Sequence, residues 1–338
     1  RQALDTAGYS KRSITGGYGA VGMHQPPPTA YPSSTFSPSP APARLFDSRT
    51  QAHTSDLTAG PSRLEANETV HLLVGTQAVA VALNVVVVNM AAPGFLAAYP
   101  SGWAAPGQVS SLNTDAPGQT RSNLVVVPVG ADGSIDIHVS AAADVVVDQV
   151  GAFYPRTSNN PQFGNLEPIA PRRVLDSRTC LGLTTCSGNP LPAGTWTTVD
   201  FTGVADPDDP THTVPSDAIG VALSVTVDQP DGRGYLAAVP ADFAASDPSA
   251  LNYEANQSAT TLALVALSGG RAKFRTSRSA HLQIEVLGWF RGVHPIDDPF
   301  GQFVPVAPSR LVDTRKPTGS PQLPAGAVSY THLRAHET

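Results

Sequence analysis

The sequence carries little charge of either sign and no long apolar run. Charged residues make up 14% of the 338 residues, and the formal net charge is −6. A nucleic-acid-binding surface needs a concentrated positive field, so this balance argues against a nucleic-acid partner. The longest nearly apolar stretch, residues 79–88, is shorter than the roughly 18 to 20 residues that cross a bilayer. We therefore expect no membrane span.

Cysteine is also scarce, because Cys180 and Cys186 are the only two. A zinc site would need two further ligands, and none lies at a suitable spacing. The remaining alternatives are two free thiols or one local disulfide. We predict the disulfide, formed in an oxidising compartment.

Sequence signatures of catalysis are missing as well. There is no G-x-S-x-G, no H-E-x-x-H and no glycine loop of the kind that holds phosphate. The acidic run at residues 206–209 is broken by prolines and does not follow a calcium-loop pattern. We therefore predict no enzymatic activity, no cofactor and no metal site.

What the sequence does contain is a six-residue motif, R-[LV]-[FLV]-D-[ST]-R, that occurs three times. It occupies residues 44–49, 173–178 and 310–315. The aspartates of successive motifs are 129 and 137 residues apart, far more than the roughly 20 to 50 residues of a solenoid repeat. Each motif therefore marks the first strand of a separate domain.

Between the first two motifs, short apolar segments alternate with turn residues. Residues 81–88 are apolar on both faces, as in a central strand. Asp132-Gly133 predicts a hairpin that leads into residues 134–139, where alternation predicts one buried and one solvent-facing side. Many short strands at regular spacing indicate an antiparallel sandwich or barrel.

The second unit repeats the order of the first at an offset of 137 to 140 residues, after an insertion of 11 residues between the motif and the central strand, a region that holds both cysteines. We predict an all-β fold of two tandem antiparallel β-sandwich (jelly-roll-like) domains and a truncated third. The predicted ranges are 1–35 for a mostly disordered linker or the end of an upstream region, 36–156, 163–292 and 303–328.

Ionic pairing is the chemistry that the motif favours. Strict alternation places Leu45, Asp47 and Arg49 on one face of the strand. A carboxylate with an arginine two residues later and another three residues earlier suits charge-assisted pairing. This is either a polar ligand site or a structural clasp, and we favour the clasp. The residues assigned to it are Arg44, Asp47, Arg49 and Asp148; Arg173, Asp176, Arg178 and Glu285; and Arg310, Asp313 and Arg315.

A second candidate is a recurring aromatic residue in a loop. Trp103 and Phe243 are 140 residues apart and follow equivalent prolines. Such a ring could stack on a sugar, with amide hydrogen bonds from Asn113 and Asn252 one strand later. The alternative is that the rings cap the core and the amides satisfy turn backbone groups.

Taken together, these features resemble a known repeat. The motif, the Gly-aromatic-Leu segment, the Leu-Asn step and the closing strand that ends Gly-x-Phe resemble the tandem Arg/Asp-motif β-domains of secreted and cell-surface actinobacterial proteins. The resemblance covers residues 36–328 and implies an extracellular, non-catalytic, repeated module. Residues 329–338 resemble translated sequencing-adapter read-through of the kind that ends some metagenomic proteins.

The functional prediction is a secreted or cell-surface module that binds glycan or other cell-envelope material, or that assists an upstream catalytic domain. A purely structural stalk is the alternative, and part of a secreted hydrolase with a missing catalytic domain is the third. The expected partner is a glycan or cell-wall polymer. The chain is expected to be a monomer within a longer multidomain protein.

Overall fold

The computed structural model describes residues 3–4, 10–13, 34–50, 52–53, 62–103, 110–155, 164–244, 248–291 and 301–303, and these form strands and turns without a helix. The strands of the first unit are β1 (Ala3–Leu4), β2 (Ser10–Ser13), β3 (Ser34–Asp47), β4 (Ala52–His53), β5 (Thr69–Leu73), β6 (Ala80–Val88), β7 (Gly94–Pro100), β8 (Leu112–Thr114), β9 (Arg121–Pro128), β10 (Ser134–Val139) and β11 (Asp144–Pro155). Those of the second unit are β12 (Asn165–Asp176), β13 (Thr197–Asp200), β14 (Ala218–Asp228), β15 (Gly234–Pro240), β16 (Leu251–Tyr253), β17 (Ala259–Ala266), β18 (Arg271–Thr276) and β19 (His281–Arg291).

Each unit has two sheets, which we name by the position of the motif. The motif sheets run β4-β3-β11-β6-β9 and β12-β19-β14-β17, and the far sheets run β1-β2-β5-β10-β7-β8 and β13-β18-β15-β16. Apart from the additional strands β1, β2 and β4, the two units share one strand order. Pairing is antiparallel except between β2 and β5. The prediction of an all-β antiparallel sandwich fold is confirmed.

Strands β1 and β2 lie within residues 1–35, where the sequence predicted a mostly disordered linker. Strand β3 begins at Ser34, two residues before the predicted start of the first domain. Its pairing with β11 extends from Ser34 to Asp47. The ladder is interrupted between Pro38 and Ala43. The prolines at positions 40 and 42 are tolerated in the strand because they fall in this interruption.

Each unit has its own apolar core between its two sheets. In the first unit, Val81, Leu83, Val85 and Val87 of β6 point inward and are fully buried. The intervening Ala80 and Ala82 of the same strand are buried as well, in a separate cluster that joins the two units. Strand β6 is apolar on both faces because both faces are covered.

The joint between the units, which we call the joint cluster, is aromatic at its centre. The ring of Phe36 lies 4.9 Å from that of Phe153 and 4.6 Å from that of Phe290 in the second unit. Polar contacts flank the cluster, including a hydrogen bond from the backbone N of Asn252 to Ser122 Oγ at 2.7 Å. The two units therefore contact each other through packed side chains as well as through the chain that links them.

Two local predictions in the first unit are wrong. Asp132-Gly133 does not form a hairpin, because β9 belongs to the motif sheet and β10 to the far sheet, so the turn crosses from one sheet to the other. Strand β10 alternates as predicted, with Ile135 in the core, but its second face does not meet solvent. Asp136 and His138 on that face are each only 2% exposed.

The insertion of the second unit lies between β13 and β14, which are separated by 17 residues where β5 and β6 are separated by 6. The two cysteines lie outside it, in the connection between β12 and β13. Cys180 and Cys186 form a disulfide with their Cα atoms 5.4 Å apart, as predicted. The backbone N of Asp176 donates to the carbonyl of Leu181, which holds the disulfide loop against the end of β12.

Candidate functional site

The motif of the first unit forms a set of mutually satisfied ion pairs. Arg49 binds Asp47 through two parallel bonds, Nε to Oδ1 at 2.9 Å and Nη2 to Oδ2 at 2.8 Å. Arg44 Nη1 donates to Asp47 Oδ2 at 2.6 Å, and Arg44 Nε donates to Asp148 Oδ1 on β11 at 2.5 Å. Asp47 and Asp148 are 1% and 2% exposed. The arginines thus replace the solvation that the buried carboxylates lose.

A β-bulge brings Arg44 and Asp47 to the same face of β3. The sequence predicted strict alternation, which would place them on opposite faces, and that prediction is wrong. The ladder between β3 and β11 shifts between Phe46 and Arg44 and leaves Leu45 without an opposite residue. One extra residue in a strand reverses the facing of everything before it.

The second unit repeats this arrangement with one change of partner. Arg173 donates from Nη1 to Asp176 Oδ2 at 3.1 Å and from Nη2 to Glu285 Oε1 at 2.8 Å, across the same ladder shift. The backbone N of Arg178 donates to Asp176 Oδ1 at 3.0 Å. The Arg178 side chain, however, pairs with Asp228 of β14. The Arg49 side chain differs, because it pairs with the aspartate of its own motif.

The serine of each motif connects the first strand to the closing strand. Ser48 Oγ accepts from the backbone N of Val145 at 3.0 Å and contacts the side chain of Asp144 at 3.0 Å. Ser177 Oγ accepts from the backbone N of Leu282 at 3.1 Å, and it lies 3.1 Å from Nδ1 of His281, which corresponds to Asp144. Both units share the hydrogen bond from a backbone N–H of the closing strand to the serine hydroxyl. The side chain that contacts this hydroxyl differs between the units.

Electrostatics hold the motif in its ionised form. Burial raises the pKa of Asp47, but the bonds from Arg49 and the positive charges of Arg49 and Arg44 outweigh burial and bring that pKa below its ordinary value. The bond to Glu285 raises the pKa of Arg173. A general acid needs a raised carboxyl pKa, so the shift at Asp47 is in the wrong direction for that role. The third motif, with Arg310, Asp313 and Arg315, lies outside the described residues.

The loop aromatics and the asparagines lie at different ends of the far sheets. Trp103 follows Pro100 at the end of β7 and packs on Tyr99 at a ring separation of 5.6 Å. Asn113 lies opposite Phe95, near the start of the same strand. In the second unit, Phe243 and Asn252 are separated in the same way, since Asn252 lies opposite Tyr235. The structure does not bring either pair together into one site.

The face of the first far sheet that points away from the core carries buried polar side chains that the sequence did not single out. His71 Nδ1 lies 2.8 Å from Asp136 Oδ1 and 3.4 Å from Ser101 Oγ. Ser101 Oγ donates to Asp132 Oδ2 at 3.0 Å. A Ser-His-Asp relay needs the serine and the carboxylate on opposite ring nitrogens. Here Ser101 and Asp136 contact the same nitrogen, and the second carboxylate, Asp132, lies 3.7 Å from Nε2, beyond hydrogen-bond distance. This geometry does not form such a relay.

The equivalent face of the second far sheet is cationic. Arg271, Lys273 and Arg275 alternate along β18 with the core residues Ala272 and Phe274, so all three point away from the core. We call them the cationic row; their spacing along the strand is about 6.8 Å.

An aromatic ring lies against this row. Trp196, at the start of β13, has Lys273 Nζ 5.1 Å and Arg275 Cζ 4.8 Å from its ring centroid. Lys273 Nζ also donates to the carbonyl of Phe243 at 2.7 Å. The sequence could have indicated this row through the alternation of basic and apolar residues over 271–275, in a chain with only three lysines.

The described residues contain no group of three or more His, Cys, Asp or Glu side chains arranged to hold a metal ion. Among these same residues, no helix is long and apolar enough to cross a membrane.

Comparisons with known proteins give only distant likeness. No family model matches the sequence, and no match is found among curated proteins. Among solved structures, the chain is similar to a Paenibacillus xanthan lyase, with 12% identity and a TM-score of 0.17, over 81% of this chain and 28% of that one. It is also similar to the coconut allergen cocosin, with 8% identity and a TM-score of 0.16, over 79% and 87% of the two chains. The chain thus spans little more than a quarter of the length of the lyase.

Proposed function

We propose that this chain is a non-catalytic extracellular module that binds an acidic cell-envelope polysaccharide on the far sheet of its second unit. The observation that carries the proposal is the cationic row with Trp196 against it. Lys273 and Arg275 are like charges on alternate positions of one strand, and both lie against the Trp196 ring. A polyanion laid along β18 would offset their repulsion. Arg271 already has the Asp200 carboxylate 3.9 Å from its Nε, so the other two cations are the main binding groups.

The chemistry of the patch suits a sugar polymer that carries carboxylate or phosphate groups. Arginine and lysine pair with such groups through charge-assisted hydrogen bonds. An indole ring offers an apolar surface for the C–H face of a sugar. The corresponding residues of the first unit, Ser134, Asp136 and His138, have no such charge, so we assign binding to the second unit alone.

The extracellular location rests on the disulfide between Cys180 and Cys186, because disulfides form and persist in oxidising compartments. Tandem modules of this kind would act beside a catalytic domain or on a cell surface. The structural spacer is the second candidate function. The joint cluster favours it, because packed aromatic side chains between consecutive units oppose bending.

Binding can be tested by isothermal titration of the chain with polygalacturonate and with teichoic-acid-bearing cell wall, using chitin as a neutral polymer. We expect binding to the two acidic polymers and not to chitin, and a steep weakening as salt rises. Lys273→Ser combined with Arg275→Ser should weaken binding by at least tenfold, and Trp196→Ala should weaken it at high salt as well as at low salt.

Arg172→Ser is the matched control, since Arg172 is an exposed cation on the motif sheet of the same unit. It removes one positive charge and should leave binding nearly unchanged. No binding to either acidic polymer, or an equal loss with Arg172→Ser, would refute the proposal in favour of the spacer.

A further inference from the structure

Three short segments of the chain meet at the joint in a cyclic pattern. They are equivalent by sequence, because Phe36, Leu166 and Phe303 each stand two residues before a proline and seven or eight residues before a motif. We call Ser34–Phe36, Gly164–Leu166 and Gly301–Phe303 the first, second and third opening segments.

Backbone hydrogen bonds connect each opening segment to the next. Phe36 of the first segment exchanges two bonds with Gly164 of the second, at 2.9 and 2.7 Å. Leu166 of the second donates to the carbonyl of Gly301 in the third, at 3.0 Å. Phe303 of the third exchanges two bonds with Ser34 of the first, at 2.9 and 2.8 Å.

In every case the apolar residue of one segment pairs with the residue two positions earlier in the next segment, and the third segment returns to the first. Such a cycle is the signature of closed, head-to-tail packing around an approximate three-fold axis. The two described units fill two of the three positions around that axis.

The exposure of equivalent side chains points to the same vacant position. Leu124 of the first unit is 9% exposed because it lies in the joint cluster, whereas its equivalent in the second unit, Leu262, is 48% exposed. Two residues further along the same strands, the difference in exposure between the units is reversed. Val126 of the first unit is 37% exposed, whereas its equivalent, Leu264, packs against the joint cluster. Each unit therefore has two apolar sides. Among the described residues, the first unit has no neighbour on one of these sides and the second unit has none on the other.

Both uncovered sides line one groove. It has a volume of about 750 Å³, and its walls include Val126 and Phe153 from the first unit and Leu262 and Phe290 from the second. The third opening segment lies in it, with the Phe303 ring 4.4 Å from that of Phe153. A domain that begins at Phe303 would thus start inside this groove.

We propose that the groove is the docking surface for a third β-sandwich module of the same kind, which begins at the third opening segment and closes a three-module ring. The module would cover Leu262 as the second unit covers Leu124, and it would cover Val126 as the first unit covers Leu264. The third Arg/Asp motif, at residues 310–315, follows this segment at the spacing seen in the second unit.

The test compares the present chain with an extended chain in which residues 304–338 are replaced by a copy of residues 167–291. If the ring closes, small-angle scattering of the extended chain should fit a compact three-lobed particle. Leu262→Asp should lower the melting temperature of the extended chain by about 5 °C or more and leave that of the present chain nearly unchanged. Leu73→Asp is the matched control, because Leu73 is 54% exposed and lies outside the groove.

A second measurement tests the cycle even if the extended chain does not fold. In the present chain, the amides of Ser34 and Leu166 should be protected from hydrogen exchange, and deletion of residues 301–338 should remove that protection. The amide of Phe36, which bonds to Gly164, should stay protected in both. Equal exchange of Ser34 and Leu166 in the two chains, or an extended chain that scatters as a flexible string with no response to Leu262→Asp, would overturn the proposal.

Discussion

Asp47 is almost inaccessible to solvent, but the two guanidinium groups that bind it are not. The side chains of Arg44 and Arg49 remain 35% and 45% exposed. Water can therefore solvate an arginine that loses its partner, which limits the cost of breaking the pair. The clasp is more sensitive at the carboxylate, which is buried and depends on the two arginine side chains and on the backbone N of Arg49 for its hydrogen bonds.

Asp47→Ala is expected to lower the free energy of unfolding by about 1 to 3 kcal/mol, because it removes the buried acceptor of several charge-assisted bonds. This is less than the roughly 3 to 5 kcal/mol expected for a fully buried pair. Urea denaturation measures the change, with Asp208→Ala in an exposed turn as the control. A midpoint equal to that of the unchanged protein would contradict a structural role for the motif.

His281 predicts a pH dependence in the second unit. Burial, and then the charge of Arg178, lower its pKa in the folded state. The unfolded chain binds the proton more readily, so the stability contributed by neutral His281 is complete above about pH 6.5 and is lost as the pH falls through the folded pKa. His281→Asn should show a smaller fall in melting temperature between about pH 7 and pH 5. Identical slopes for the two proteins would exclude His281 as the source.

Among the elements, the closing strands β11 and β19 depend on glycines that make room for the first strands. A Cβ atom on Gly151 would lie 2.3 Å from the Phe36 ring, and one on Gly288 would lie 2.6 Å from the carbonyl oxygen of Glu167. The Gly-x-Phe pattern at the end of each closing strand is thus explained by close packing. The glycine admits the first strand, and the phenylalanine fills the joint beside it.

Gly151→Ala should therefore destabilise the first unit by about 1 to 3 kcal/mol through overpacking. Combining it with Phe36→Leu should restore part of the loss, since the smaller side chain leaves space for the added methyl group. Thermal unfolding of the two single variants and the double variant gives the coupling energy. If the two losses in free energy of unfolding simply add, the effect of Gly151→Ala does not arise from its contact with Phe36.

The disulfide is a cross-link that the second unit has and the first lacks, since both cysteines of the sequence lie in the second unit. Breaking the Cys180–Cys186 bond should cost about 2 kcal/mol, because the closed loop is short. Reductant should lower the melting temperature of the unchanged protein and have no effect on Cys180→Ser combined with Cys186→Ser. An equal fall in melting temperature for both proteins would show that the reductant does not act through this disulfide.

Much of this architecture could be predicted from the sequence because a segment that recurs in both units is more readily recognised as a structural element. The fixed offsets inside strands predicted the matched elements, and the alternation of apolar residues predicted the core face of β10. The bulge at Leu45 could not be predicted, because an extra residue in a ladder leaves no mark in composition. The Asp132-Gly133 turn was misassigned because a tight turn looks the same whether it joins neighbours in one sheet or strands in two.

The cationic row was missed for a different reason. Sequence reasoning searched for features that recur between the units, such as Trp103 and Phe243, whereas Lys273 and Arg275 replace Asp136 and His138 at equivalent positions. A comparison that sought differences on an otherwise repeated strand would have found them.

For the whole molecule, the joint cluster should make the two units unfold together. Leu124→Asp places a charge in that cluster and is expected to separate unfolding into two transitions, because the joint would lose apolar contact and each unit would keep its own core. Differential scanning calorimetry distinguishes one transition from two. Val126→Asp, two residues along the same strand and 37% exposed, should leave a single transition; two transitions in both variants would count against coupling through the joint.

The ion pairs of the two described motifs join strands of the motif sheets, whereas the outward residues of β10 and β18, on the far sheets, differ completely in charge. The far face of the second module can therefore change without disturbing the ion pairs of its motif. Duplication of such a module yields copies whose surfaces are free to diverge while their backbones remain interchangeable, so one lineage of tandem domains could acquire several binding specificities on a single invariant frame.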